Sequence, residues 1–269
     1  FTDMETTVLA LTLCQVITSF AKESIQSIPL SMMENSIDDM YDGCKESMAK
    51  VVKNVYFPRE NNIDPFKNAW KVAGPFAKEK YEKRPDKSLT LEQVQAVNVY
   101  TQEFPNVYGL LNAMVREGKA KYASKDFPFH ALHFWITSAL QIINADNNKP
   151  CQTTYRRTNN KYTGEVNQQM RFGYFASSST DPDQITFGRK TCFYTETCFG
   201  ANIKSYSRLD EDEVLIPPYE TFKITEIAEG SYKEMKDGKK VFVLKSTGKL
   251  SNLNCKATKP KLTSTSLKY

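Results

Sequence analysis

Histidine is nearly missing from this chain: two residues in 269, His130 and His133, three apart. No third ligand follows them at useful spacing, so we read both as packing or surface residues and expect no metal. No glycine-rich phosphate loop follows any strand-like run, which argues against Rossmann and P-loop nucleotide binding. There is no internal repeat and no N-x-S/T glycosylation acceptor. No basic block occurs either; the net charge of +5 is spread along the chain, which leaves no nucleic-acid footprint. Long apolar runs are also lacking. "VLALTLCQVITSFA", near the start, is about a dozen residues, too short to cross a bilayer comfortably.

The chain has the means to build a core, with 40% hydrophobic and 25% charged residues, 16 Phe and 14 Tyr. The early apolar run ends in Ser19-Phe20-Ala21, with small residues where a signal peptidase reads, and charge resumes at Lys22. We read residues 1–21 as a secretory signal. Its front is acidic (Asp3, Glu5) where a signal is usually basic, and a buried N-terminal helix is the alternative. In a secreted chain the cysteines become disulfide candidates. Cys14 leaves with the signal, and Cys44, Cys151, Cys192, Cys198 and Cys255 remain, an odd set with at least one thiol free or paired outside the chain. The end, "KATKPKLTSTSLKY", is polar and basic, so an anchor that needs an apolar tail is not expected. The alternative is that the natural end lies further on.

The first half reads helical. In "NSIDDMYDGCKESMAKVV", Met40, Cys44, Met48 and Val51 share a face behind a Ser36 cap. In "SLTLEQVQAVNVYTQEF", a Thr90–Gln93 capping pair precedes Val94, Val97 and Thr101. "FPFHALHFWITSALQIIN" places Phe129, Leu132, Ile136, Leu140 and Ile143 at helical spacing. After "NADNNKPC" the pattern changes to short runs rich in Thr, Tyr, Phe and Val: "QTTYRRT", "QQMRFGYFASSS", "KTCFYTET", "NIKSYSRL", "EVLIPPYETFKITEIAE" and "KKVFVLKST". Helices first and strands second predict an α+β unit. We expect one domain over residues 22–258, helical over 22–148 and β-rich over 149–258, with a flexible basic tail over 259–269.

Three stretches carry chemistry. "LDEDEVLIPP" sets four acids before an apolar run; if a strand begins near Leu209, alternation puts Glu211 and Glu213 on one face and Asp210 and Asp212 on the other. Paired carboxylates raise each other's pKa and are commonly functional in a cleft, whereas acid runs at strand starts are otherwise ordinary solvated turns. "TTYRRTN" puts Arg156 and Arg157 on opposite faces, so one can face a cleft while the other meets solvent. A guanidinium facing inward suits a diphosphate or a carboxylate, and a surface salt bridge is the plainer account. "FASSST" gives three hydroxyls after an aromatic strand, which alone would be a polar turn.

In order and rough spacing, Arg at one strand's end, aromatic-apolar-Ser-x-Ser on the next and Glu-x-Glu on a third resemble the R-S-E signature of the ADP-ribosyltransferases. "SIDDMYDGC", "HALHFWITSALQ", "TYRRTN", "RFGYFASSS", "TCFGANIKSYS" and "DEDEVLIPPYETF" look like blocks of the vertebrate ecto-mono-ADP-ribosyltransferases, and the likeness covers roughly residues 30–256. The resemblance implies a helical half packed on a mainly antiparallel sheet with an NAD-binding cleft. It implies a secreted enzyme that moves ADP-ribose from NAD+ to arginine side chains and releases nicotinamide. An NAD+ glycohydrolase on the same site, or a silent secreted binding module, is the alternative. By similarity, Arg156 orients NAD+, Ser177 binds the nicotinamide-side ribose and positions the glutamate, and Glu213 is catalytic. Glu211 matches the glutamate associated with arginine as acceptor, and Phe187 the aromatic that packs on nicotinamide. Arg157 stands where Gly is frequent; its backbone remains available to the nicotinamide amide. The resemblance also implies Cys44–Cys255 and Cys151–Cys198, leaving Cys192 unpaired. Implied partners are NAD+ as co-substrate and arginine-bearing acceptor proteins, with no nucleic acid, no membrane span in the mature chain and a monomeric state.

The chemistry such a site needs is simple to state. Breaking the bond between ribose and nicotinamide builds oxocarbenium character on the sugar, as in glycoside hydrolysis. A carboxylate bonded to the ribose 2′-hydroxyl gains as that charge develops. The acceptor guanidinium is protonated and a poor nucleophile, so a second carboxylate must orient it and take its proton.

Overall fold

The computed structural model describes residues 27–84, 88–124, 126–146, 150–209 and 212–259. The secretory signal reading, Asp210, Glu211 and residues 260–269 lie outside the described residues. Helix α1 (Lys45–Val51) passes through a π-helical turn, Val52–Tyr56, into α2 (Phe57–Glu60). Helices α3 (Phe66–Lys83), α4 (Leu91–Thr101), α5 (Tyr108–Glu117) and α6 (His130–Ala145) follow. The capping pair forms as the sequence indicates: Thr90 Oγ1 accepts the Gln93 N–H at 3.3 Å, and Gln93 Oε1 accepts the Thr90 N–H at 2.8 Å. Helix α6 is buried without a break from His130 to Leu140, so it is the central helix on which the others pack.

The helix expected behind Ser36 begins instead at Lys45. The reason is that Asp38 and Asp39 spend their carboxylates on distant backbone. Asp38 Oδ1 accepts the N–H groups of Asn252 and Leu253, both at 2.9 Å, and Asp38 Oδ2 pairs with buried Arg171 at 2.6 Å. Asp39 Oδ1 accepts from Tyr41 N at 2.8 Å and Cys255 N at 2.9 Å. Short acids bonded this way hold a segment out of helical conformation. Both histidines are fully buried in α6. His130 lies 3.0 Å from Glu60 and 2.7 Å from the Tyr122 carbonyl, and His133 sits 2.6 Å from the Tyr41 hydroxyl. Burial lowers His133 to about 3, so its ring stays neutral.

The strands are β1 (Ile28–Pro29), β2 (Gln152–Thr158), β3 (Tyr162–Thr163), β4 (Gln169–Met170) and β5 (Ala176–Ser179). They continue with β6 (Thr191–Thr197), β7 (Ala201–Asn202), β8 (Glu213–Ile216), β9 (Glu220–Glu229) and β10 (Lys240–Lys249). Eight of them form one sheet in the order β4-β9-β10-β6-β2-β5-β8-β7, antiparallel except for the parallel β10–β6 pair. Short β1 and β3 pair separately. Two expected runs break. "QQMRFGYFASSS" splits into β4 and β5, because Gly173 turns the chain at φ +68° where a Cβ would come within 2.5 Å of Met33. In "NIKSYSRL" only Asn202 lies in a strand; a turn at Lys204–Tyr206 and a bend at Arg208–Leu209 take up most of the rest. Both disulfides close, Cys44–Cys255 across 211 positions and Cys151–Cys198 across 47, and Cys192 is a buried free thiol.

Candidate active site

The sheet is weakest between β2 and β5, which share a single register pair, Tyr155 with Ser179. On one side β2 is zipped to β6 along its whole length; on the other β5 is paired residue by residue with β8. Where the two halves part, polar groups face a cleft of about 650 Å³ instead of another strand. Arg156, Ser177, Glu213 and Phe187 all line it.

Register places the carboxylate. Glu213 opens β8 opposite Ser179, two positions from Ser177 on the paired strand. Its own carbonyl accepts Ile203 N at 3.0 Å, and the preceding Asp212 carbonyl accepts Thr180 N at 3.1 Å, so the backbone is held from both sides. The Glu213 side chain is 9% exposed. Asp212 instead turns outward, half exposed, to Lys204 at 2.9 Å. The expected strand start near Leu209 is corrected to Glu213, since the chain bends at Arg208 and Leu209 and pairing in β8 begins only at Glu213.

Arg156 reaches across the split. Its Nη1 donates to the Ser177 carbonyl at 2.5 Å, with Nη2 3.4 Å from the Tyr174 hydroxyl. Arg157 departs from the sequence reading. It does point away from Arg156, but its side chain is buried at 4% exposure rather than solvated. Its guanidinium donates to the carbonyls of Pro182 and Lys236 and lies 3.6 Å from Cys192 Sγ. Phe187, on a short 3-10 turn (Ile185–Phe187), is 57% exposed at the cleft's edge.

Sequence reasoning missed the helical wall. Tyr100, at the end of α4, donates its hydroxyl to the Phe175 carbonyl at 2.8 Å. Asn112, on α5, holds the same residue's backbone on both sides: Nδ2 donates to Phe175 O at 3.1 Å and Oδ1 accepts Phe175 N at 3.2 Å. Burial first, and then the Glu213 charge, push the Tyr100 phenol well above its ordinary range, so it stays a donor. The capping box gave the start of α4 but no sign that its last turn meets β5. Among the described residues no cluster of His, Cys, Asp and Glu is arranged to hold a metal ion.

The cleft's chemistry fits a dinucleotide substrate: a guanidinium that can meet phosphate oxygens, hydroxyls for a sugar, a sheltered carboxylate and an aromatic wall. The comparisons with known proteins agree. The erythroblast NAD(P)(+)–arginine ADP-ribosyltransferase of Gallus gallus is 31% identical over 89% of this chain and 79% of its own. The ecto-ADP-ribosyltransferase 5 of Bos taurus is 33% identical over 84% and 73%. A crystal structure of a eukaryotic mono-ADP-ribosyltransferase, an ART2.2 mutant in complex with NAD, superposes with a TM-score of 0.69 at 29% identity, covering 85% of this chain and 98% of that one. Residues 30–251 match the family description "NAD:arginine ADP-ribosyltransferase", and the chain therefore belongs to that family.

Proposed function

We propose that this enzyme acts outside the cell, cleaving NAD+ in the split-sheet cleft and passing ADP-ribose to arginine side chains of proteins. One observation carries the assignment of roles: Arg156, Ser177 and Glu213 converge on the one cleft from three neighbouring strands. Glu213 accepts a hydrogen bond from the ribose 2′-hydroxyl and stabilises positive charge as it builds on the sugar. Arg156 holds the diphosphate side, so that the ribose moves while the rest stays fixed. Ser177 fixes the sugar and the carboxylate's orientation. Phe187 packs on the nicotinamide, and the Arg157 backbone serves its amide. Glu211 orients the acceptor guanidinium and takes its proton during attack. Two closed disulfides and the extracellular naming of the ecto-enzyme relatives support action outside the cell.

The test is a labelled-NAD+ assay with an arginine analogue, separating conjugate from free ADP-ribose. Glu213→Gln is expected to lose both products. Glu211→Gln is expected to lose the conjugate and keep hydrolysis; equal loss of both products in that variant would sink the acceptor role.

A further inference from the structure

Arg157 makes a group of contacts that the reaction itself does not need. Its side chain leaves the cleft and enters the opposite face of the sheet, above Cys192, the cross-strand partner of Arg157 on β6. There Nε and Nη2 both donate to one carbonyl, Pro182 O, at 3.0 and 2.8 Å, and Nη2 also reaches Lys236 O at 2.9 Å. These acceptors are neutral, two carbonyls beside a thiol, so the buried cation is desolvated without the return an ion pair would give. An apolar side chain could fill that space beside Cys192, which itself packs with Met235 and Val241, at lower cost. What the guanidinium provides is a fixed fork of donors joining two loops.

Both loops bear on the cleft. Pro182 lies in the segment from Thr180 to Gly188, which carries Gln184 and Phe187 on the cleft wall. Lys236 lies in the β9–β10 connection, which is joined to the far end of the same segment by Lys239 N donating to Arg189 O at 2.8 Å. Gly188 anchors that end directly on β2. At φ +130° it packs so closely that a Cβ would sit 2.4 Å from the Thr158 carbonyl carbon. The wall segment is thus pinned on β2 at two places, by Gly188 and by the Arg157 fork. Between them Phe187 projects with more than half its surface open.

We infer that Arg157 is a positioning residue whose side chain, acting through Pro182 from behind the sheet, sets the height of the Phe187 wall over the cleft. The inference rests on the reading of Phe187 as part of the NAD+ site, but its first test does not. Hydrogen exchange of the 180–188 amides in Arg157→Met should quicken by about tenfold or more, with β2 and β6 protection retained. Arg157→Lys, which keeps the charge and loses the fork, should fall between. In kinetics, Arg157→Met should raise KM for NAD+ about five- to tenfold, more than it lowers kcat. Phe187→Ala should do the same, and combining the two should add little to either alone. Unchanged exchange across 180–188, or additive effects in the double variant, overturns the inference. If the protein failed to cleave NAD+ at all, the exchange measurement would still decide the role of Arg157.

Discussion

At the scale of single residues, the cleft depends on side chains that hold backbone. The Phe175 backbone, two residues ahead of Ser177, makes three hydrogen bonds with the Tyr100–Asn112 pair: its carbonyl accepts two and its N–H donates one. Tyr100→Phe removes one donor but leaves the Phe175 carbonyl with Asn112, so a loss of about 1 kcal/mol is expected. Asn112→Ala leaves the Phe175 carbonyl with Tyr100 but orphans the buried Phe175 N–H and opens a gap beside Tyr100; about 2–3 kcal/mol is expected. Urea unfolding of the two variants checks the order, and a Tyr100 variant less stable than the Asn112 variant would contradict it. Alternation offered one of Arg156 and Arg157 to a cleft and left Ser177 in a polar turn; it was the family resemblance that singled out Arg156, Ser177 and Glu213. Arg157 was half legible. Alternation gave its direction, but what covers that face is the β9–β10 connection, some eighty positions away, which no local pattern announces.

Among elements, the turn after β6 is held by one buried acid. Glu220, the first residue of β9, accepts from Thr197 Oγ1 at 2.5 Å, Cys198 N at 2.7 Å and Phe199 N at 3.3 Å. Burial raises its pKa to about 7, against the hydrogen bonds that lower it. A folded-state pKa above the unfolded one means that the folded chain holds the proton more tightly. The stability gained this way is complete below the unfolded carboxylate value and is lost as pH rises through about 7. Asp39, raised by burial to about 6, acts in the same sense at lower pH. Stability should therefore decline between pH 5 and pH 8, by up to about 3 kcal/mol from Glu220 alone. Glu220→Gln mimics the protonated form and should flatten that decline; unfolding measured at both pH values checks it. Element type was mostly readable here, since β2 and β6 match the strand-like runs almost residue for residue. Element ends were not, because a buried carboxylate such as Asp38 stops a helix by bonding to chain more than two hundred positions away.

For the molecule as a whole, the order of strands is what sequence could not supply. The parallel seam between β10 and β6 brings the last strand into the middle of the sheet, and nothing in either strand's pattern specifies its neighbour. The split between β2 and β5, at which the cleft lies, is likewise a matter of which strands neighbour each other and over what length. Asp38, Asp39 and the Cys44–Cys255 bond together fasten the segment after β10 to the segment before α1. Replacing Cys44 and Cys255 by serine is expected to cost about 4–5 kcal/mol in the chain-entropy account, read as a lower denaturant midpoint.

That bond also makes the domain a covalent ring. Residues 44 to 255 form a closed circuit that contains every proposed site residue, from Arg156 to Glu213. A protease that cuts the circuit once severs no part from the rest. The two fragments stay tied through Cys44 and Cys255, with their strands still paired in the sheet. A singly nicked enzyme should therefore run as one species without reductant, separate into two with it, and keep its activity until the disulfide is reduced.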